Sequence, residues 1–158
     1  QVFTSGLYHL EVQLYGRALK IPGYLGTRVL AGEIFTPLCE AQGTGAGDAG
    51  ALPAGLTTDF TIVAKDENGN SLSYGGASWT VFLVSATDAD DSNAGVDWQP
   101  NGLHYVRATE AEGGEVVDME DGTYRVRYRP LVAATYLLNI MRGTKHASGS
   151  PKEVQVRA

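Results

Sequence analysis

One segment near the end of this 158-residue chain alternates apolar side chains with arginines over six positions, from Tyr124 to Arg129. In an extended strand successive side chains point to opposite faces, so its tyrosines and valine share one face and its arginines share the other. A helix would mix the two sets around its axis, because successive residues are separated by about 100°. The segment therefore predicts a half-buried antiparallel strand, which is typical of an all-β fold.

Several other segments have the same period of two, or form short apolar runs between turn residues. The expected strands are Pro37–Gln42, Thr58–Lys65, Trp79–Val84, Leu103–Thr109, Glu115–Asp118 and Tyr136–Ile140. Between them, Asp66–Asn70 is expected to be a tight turn, and Gly43–Gly55 a flexible loop. Because no helical pattern interrupts the series, the sequence predicts a β-sandwich of about seven strands.

The first thirty residues repeat the pattern of the C-terminal hairpin. They predict a hairpin in which Tyr8 matches Tyr136, 128 positions later. We therefore expect residues 1–33 to be the closing hairpin of a preceding repeat, and residues 34–158 to be a complete repeat. A long acidic insertion is expected within the complete repeat, at about residues 85–114.

The net charge of −6 conceals two segments of opposite sign. Ten acidic residues and one basic residue lie between Asp88 and Asp121, whereas seven basic residues and one acidic residue follow. Arg125, Arg127 and Arg129 either pair with the acidic segment, at roughly 0–1 kcal/mol per exposed pair, or form a docking stripe for an acidic partner. The acidic net charge and the lack of a recognised motif argue against a nucleic-acid partner.

No group of residues has the spacing that a catalytic or metal site requires. His9, His104 and His146 are far apart, and none has a cysteine or carboxylate at metal-ligand spacing. Asp66–Asn70 begins like a calcium loop, but its glycine comes at the fourth position, so a turn is favoured. Cys39 is the only cysteine and is expected to be a small core residue. We expect no catalysis, no metal and no cofactor.

Three segments together resemble the filamin-type immunoglobulin-like repeat. They are Thr58–Asn70, Asp121–Pro130 and His146–Pro151. Leu38–Ala41 is similar to the opening strand of such a repeat, and the resemblance runs from about Phe35 to Arg157. It implies an immunoglobulin-like antiparallel sandwich that serves as a structural module rather than a catalyst. The insertion at 85–114 is longer than the usual link between the third and fourth strands.

Filamin-type repeats bind partner peptides as an added strand beside their third and fourth strands. On this chain the resemblance places that groove between Ser78–Val84 and Glu115–Asp118, with Phe82 and Val84 on its apolar floor. The candidate partner-binding residues are Trp79, Val81, Phe82, Val84, Trp98, Glu115, Val117, Arg125, Arg127 and Arg129.

The two tryptophans carry separate expectations. Trp79 is expected to lie in the core, beneath the groove. Trp98 lies in the insertion, where an exposed indole either anchors a partner or packs down onto the sandwich.

The favoured function is that of a non-catalytic structural and protein-interaction module in a multi-repeat cytoskeletal or ciliary scaffold. Its partners would be other proteins and the neighbouring repeats of the same chain. The alternatives are an adhesion module of a cell-surface or gamete protein, and an accessory domain of an enzyme or ciliary assembly. The single cysteine and the lack of an Asn-x-Ser/Thr acceptor favour the cytoplasm, at the cytoskeleton or axoneme. No apolar run approaches the roughly 18 residues of a membrane helix, so no membrane insertion is expected in this segment.

Overall fold

A computed structural model describes residues 3–9, 11, 13–18, 26–86 and 111–158 of the chain. Its strands are β1 (Gly6–His9), β2 (Gln13–Leu14), β3 (Arg17–Ala18), β4 (Gly26–Val29), β5 (Glu40–Gln42), β6 (Leu52–Pro53), β7 (Thr58–Val63), β8 (Thr80–Ser85), β9 (Ala111–Asp118), β10 (Thr123–Pro130), β11 (Thr135–Arg142), β12 (Lys145–His146) and β13 (Lys152–Arg157). Among these described residues the helical elements are two short 3-10 turns, Thr36–Leu38 and Thr44–Ala46. Neither they nor any other helix there could cross a bilayer. The all-β prediction is confirmed.

The strands from β5 onward form two sheets, and the apolar core lies between them. The first sheet has the order β5-β7-β10-β9. In the second sheet β11 pairs with β8, β12 and β13, and β6 joins β13 in parallel. Tyr136, Leu137 and Leu138 pair with both β8 and β13, so these two strands lie on opposite sides of β11. The result is the predicted immunoglobulin-like sandwich.

Strand β10 has the two faces that its sequence predicts. Tyr124, Val126 and Tyr128 are buried, and the arginines between them are exposed. Phe60 of β7 meets Tyr128 edge-on at 6.3 Å between ring centroids, and such pairs contribute roughly 0.5–1.5 kcal/mol beyond burial. The Tyr128 hydroxyl donates to the carbonyl of Gly45 at 2.5 Å, so its one polar atom is satisfied inside the core.

The opening strand is shorter than predicted. Of the expected strand Pro37–Gln42, only Glu40–Gln42 pairs as a strand, because Thr36–Leu38 forms a 3-10 turn before it. Pro37 suits that turn, since its φ is fixed and it has no N–H to give to a sheet. Cys39 follows the turn and is fully buried, as expected of a small core residue.

The prediction of a flexible loop at Gly43–Gly55 is wrong. The segment contains a 3-10 turn and strand β6, and Ala46 is buried in the core. A Cβ at Gly45 would lie 2.8 Å from the carbonyl carbon of Asp59 on β7. Only glycine fits at such a close approach of two backbones. The small residues of this segment therefore reflect tight packing against β7.

The strands that border the insertion also differ from their predicted bounds. The predicted Glu115–Asp118 is only the second half of β9, which begins at Ala111. β8 is displaced by one residue from the predicted Trp79–Val84. Trp98 and the predicted strand Leu103–Thr109 lie outside the described residues.

The first thirty residues contain the predicted hairpin, with β1 paired to β4 and β2 paired to β3, both antiparallel. The turn end of this hairpin has the register of the turn between β11 and β12. Gln13 faces Ala18, and 128 positions later Met141 faces His146. The two hairpins are therefore aligned residue for residue at this end.

A hydrogen bond is also repeated at the same interval. The hydroxyl of Tyr8 donates to the carbonyl of Thr4 at 2.7 Å, and the hydroxyl of Tyr136 donates to the carbonyl of Val132 at 3.0 Å. A tyrosine that bonds to backbone a few residues upstream is a recurrent feature of immunoglobulin-like domains. Tyr136 is buried in the sandwich, whereas Tyr8 is half-exposed.

Candidate protein-docking groove

The groove that the sequence predicts lies between β8 and β9, which belong to different sheets. At one end the chain before β8 is tied to the end of β9, because the N–H of Gly76 donates to the Asp118 carboxylate at 2.6 Å. Gly75 lies so close that a Cβ there would be 2.2 Å from a carboxylate oxygen of Asp118. The Gly75-Gly76 pair therefore allows the backbone to reach the carboxylate, and this contact joins the two strands at one end of the predicted groove.

Two aromatic residues, Tyr124 and Trp79, pack beside this contact. The hydroxyl of Tyr124 accepts the N–H of Ala77 at 3.0 Å, and its ring meets Trp79 edge-on at 5.7 Å. Burial raises the pKa of Tyr124 although the bond from Ala77 acts in the opposite direction, so the hydroxyl stays neutral. Trp79 is only 3% exposed. Trp79 is therefore a core residue, which is one of the two roles predicted for it, and it is not one of the docking residues.

Strand β8 has an inner and an outer face. Val81 and Leu83 turn toward the core, whereas Phe82 and Val84 lie on the outer face and are half-buried. Leu137 of β11 lies opposite Val84 and is also half-buried, so the outer face is apolar beside Val84, whereas Asn139 lies opposite Phe82. We correct the placement of Val81, which packs against the core, and add Leu137. The sequence could not assign Leu137, because its neighbour across the sheet depends on register.

The groove is bordered by two sheet edges. Among the described residues β8 pairs with β11 alone, and β9 pairs with β10 alone. Each strand therefore has one side whose N–H and C=O groups have no ladder partner within that part of the chain. An edge of this kind is a template on which an extended peptide can form a further strand.

The two candidate docking residues of β9, one polar and one apolar, lie on the same face of the strand. Glu115 and Val117 are exposed on the outer face of the first sheet, and Val116 between them packs against the core. Val117 is 39% exposed. Both candidate residues are therefore accessible, on the outer surface next to the β9 edge.

The three arginines lie on that same outer face, and two of them have identified partners. Arg125 donates two hydrogen bonds to one carboxylate oxygen of Asp59, at 3.1 and 2.8 Å. The Nε of Arg129 donates to the carbonyl of Gly55 at 2.7 Å. Asp59 belongs to β7 and not to the acidic segment, so the ion pair of Arg125 differs from the expected one.

The acidic segment nevertheless lies beside the arginine strand, because β9 forms its last part. Arg127 is flanked across the sheet by Glu115 on β9 and by Asp59 on β7. This placement is the one that pairing within the molecule requires. An incoming partner would therefore meet a face of mixed charge here and not a purely positive stripe.

No group of three or more histidine, cysteine, aspartate or glutamate side chains within the described ranges could hold a metal ion. The predicted turn Asp66–Asn70 is present, with Gly69 at a φ of 81°. The carboxylate of Asp66 turns inward and accepts N–H donors, among them those of Asn68 and Asn70 at 2.9 Å each. Its oxygens are therefore directed at the turn itself.

The fold defines an immunoglobulin-like β-sandwich module. The chain belongs to the filamin/ABP280 repeat family, whose model matches residues 34–153. The resemblance expected from three short segments is thus confirmed over most of the chain. Filamin repeats are structural domains that mediate protein interactions.

A curated relative with a similar segment is the E3 ubiquitin-protein ligase TRIM71 of Gallus gallus, which is 31% identical over 124 residues. Those residues are 78% of this chain but 11% of that protein. The chain therefore spans about a tenth of the length of such relatives, and the match concerns their filamin-type part.

Solved structures show the same fold. The Lin-41 filamin domain has a TM-score of 0.53 at 18% identity, covering 78% of this chain and 96% of that domain. The Escherichia coli adhesin FdeC has a TM-score of 0.56 at 17% identity, covering 98% of this chain and 41% of that chain. At these identities the likeness concerns the fold alone.

Proposed function

We propose that this chain is a non-catalytic spacer and protein-docking module, which binds an extended segment of a partner protein by strand addition at the edge of β8. The observation that carries the proposal is the coincidence of that edge with the outward apolar side chains of Phe82, Val84 and Leu137. Membership of the filamin/ABP280 repeat family supports it, because these repeats act in protein interactions.

The two parts of the surface contribute different things to binding. The backbone groups of the β8 edge would supply hydrogen bonds, which any extended peptide can form. The outer apolar face would supply selectivity, since alternate side chains of an added strand point to the same side. We therefore expect the preferred peptide to have apolar residues at every second position, with small or polar residues between them.

The proposed architecture is an array of repeats. Residues 1–33 would close a preceding repeat, and residues 34–158 would form the next one, with an insertion at 85–114. The repeated hairpin register and the repeated bonds of Tyr8 and Tyr136 support this division. The family match from residue 34 is consistent with the boundary.

The proposed location is the cytoplasm, at the cytoskeleton or in the axoneme of a cilium. Membership of the filamin/ABP280 repeat family supports the cytoplasm and the cytoskeleton as the location. The alternative is a cell-surface adhesion module, for which the fold shared with FdeC is the supporting observation. Fractionation of cells that express the full-length protein with an epitope tag distinguishes the two.

The docking surface is tested by selecting binders from a library of random 12-residue peptides and comparing two variants of the 158-residue chain. Phe82→Asp places a charge beside the β8 edge, and we expect it to weaken binding of the selected peptides at least about tenfold, as loss of an apolar contact does. Leu56→Asp is the matched control, because Leu56 is exposed outside the groove. It should leave the affinity unchanged.

Strand addition also predicts which backbone N–H groups of the selected peptides are needed for binding. Methylation of alternate peptide nitrogens that face β8 should abolish binding, whereas methylation of the intervening nitrogens should not, since only the first set donates to the sheet. Equal affinity of wild type and Phe82→Asp, or equal effects of the two methylation patterns, would exclude this groove. Stronger binding after deletion of residues 88–101 would show that the insertion competes for the edge.

A further inference from the structure

The turn Asp66–Asn70 is built around a buried carboxylate. Asp66 is 2% exposed, and it accepts the N–H groups of Gly32, Asn68 and Asn70, each at 2.9 Å. The side-chain amide of Asn70 donates to the same carboxylate, also at 2.9 Å. Charge-assisted hydrogen bonds of this kind are stronger than neutral ones. The side chain of Asn70 is therefore held in one orientation at this end of the sandwich.

The same amide reaches across to the first hairpin. The Nδ2 of Asn70 donates to the carbonyl of Phe3 at 2.7 Å, and its Oδ1 accepts the N–H of Ser5 at 3.0 Å. One amide thus binds the donor and the acceptor that flank Thr4, as the N–H and C=O of one residue in a parallel neighbouring strand would. The atoms that it takes from the hairpin belong to the backbone. The contact therefore recognises an extended chain and not a particular side chain.

The chain that leaves the hairpin is attached to the same turn. The N–H of Gly32 donates to Asp66, and the carbonyl of Gly32 accepts the hydroxyl of Tyr74 at 2.9 Å. Ile34 then pairs with Asp66 by an isolated bridge. Both the segment before β1 and the segment after β4 are thereby fixed to one loop, so the loop determines how the hairpin sits on the sandwich.

We infer that Asn70 is an inter-module docking residue, whose partner is the closing hairpin of the preceding repeat and whose bonds set the orientation of that repeat. The inference rests on the proposed division at residues 33 and 34. It does not involve the β8 edge, which lies elsewhere on the sandwich, so the two proposals can fail separately. We call the pair of bonds from Asn70 to Phe3 and Ser5 the Asn70 clamp.

The clamp is tested in the 158-residue chain by amide hydrogen exchange and by residual dipolar couplings, which report the orientation of the hairpin relative to the sandwich. In Asn70→Ala we expect exchange at Ser5 to accelerate about five- to tenfold, which corresponds to one lost hydrogen bond of roughly 1 kcal/mol. The couplings of β1 and β4 should no longer fit the orientation of the sandwich. Asn68→Ala is the matched control, because Asn68 contributes only its backbone N–H to the turn.

Ser5→Pro provides an independent variant, because it removes the N–H that Asn70 accepts and leaves the Asp66–Asn70 turn untouched. It too should release the orientation of β1 and β4, with exchange in β10 and β11 unchanged. If Asn70→Ala also loosens the sandwich, Ser5→Pro alone decides. A hairpin orientation that survives Ser5→Pro overturns the inference, as does unchanged exchange at Ser5 in a folded Asn70→Ala. Peptide binding at β8 should be the same in all three variants.

Discussion

Asp66 is the residue at which burial and hydrogen bonding oppose each other most clearly. Burial disfavours the charged carboxylate and by itself would raise the pKa. The hydrogen bonds from Asn70, Gly32 and Asn68 outweigh burial and lower the pKa from 3.8 to about 2. Since the folded-state pKa is depressed, the ionised carboxylate stabilises the fold above about pH 4, and this contribution is lost as the pH falls toward 2.

Replacing Asp66 by asparagine should remove this pH dependence. In Asp66→Asn an NH₂ group takes the place of a carboxylate oxygen and cannot accept hydrogen bonds from the N–H donors that face it. The melting temperature at pH 7 should therefore fall. Between pH 4 and pH 2 the variant should lose less stability than the wild type does. Thermal unfolding followed by circular dichroism at both ends of this range measures the difference. Parallel pH profiles of the two proteins would show that Asp66 is not the group responsible.

At the scale of the element, the outer face of the first sheet is a network of short-range charge contacts. Arg125 forms its ion pair with Asp59, which lies two residues along β7 from the directly opposed residue, Thr61. Both side chains of the pair are about half exposed. Exposed pairs contribute little free energy and are screened by salt, so this network serves mainly to keep the face polar.

A double-mutant cycle on Arg125→Ala and Asp59→Ala measures the pair directly. We expect a coupling free energy below about 1 kcal/mol that decreases as salt is raised. A cycle on Arg127→Ala and Asp59→Ala is the matched control: the two residues face each other in register but form no ion pair in the described structure. Equal coupling in the two cycles would mean that the arginines respond only to the average charge of the face.

Strand β10 could be predicted from the sequence in full, whereas the segment before β7 could not. In β10 apolar and charged residues alternate, so burial of one face is the only arrangement that separates them. The glycines near Gly45 carry no such signal. Glycine is needed there because the backbone of β7 approaches closely, and only the register of β7 determines where this approach occurs.

The candidate site was predictable only in outline. Alternation along β8 assigns Phe82 and Val84 to one face, but it does not say which face is covered. Likewise the glycine pair at Gly75 gives no hint in the sequence that Asp118 lies against it. Register across a sheet and approach between sheets are set by tertiary packing, so neither Leu137 nor Asn70 could be assigned from local pattern.

At the scale of the whole molecule, the described part of the chain consists of a sandwich, which contains the apolar core, and a hairpin attached to its end. Every buried member of the core cluster lies between Cys39 and Val156. The hairpin exposes large apolar side chains instead, including Leu7 and Leu30. A face of this kind is what a hairpin presents when the rest of its own repeat is not beside it, which accords with the proposed division.

Deletion of residues 1–30 should therefore leave a folded sandwich. The loss should be below about 2 kcal/mol of unfolding free energy, since the bonds identified between the hairpin and the sandwich in the described part of the chain are the two of the Asn70 clamp. Urea unfolding of the 31–158 chain followed by tryptophan fluorescence measures it, with the 158-residue chain as reference. The absence of a cooperative transition would show that hairpin and sandwich are one folding unit, and the boundary at residue 33 would be withdrawn.

The backbone character of the Asn70 clamp has a consequence for how such arrays arise in evolution. The clamp holds the carbonyl of Phe3 and the N–H of Ser5, and those two groups would be the same in any pair of residues other than proline at position 5. In the proposed array, duplication or exchange of a repeat that keeps Asn70 therefore brings together ends that already match, whatever the side chains of the hairpin. New arrays can then be assembled by recombination without co-evolution of the joint.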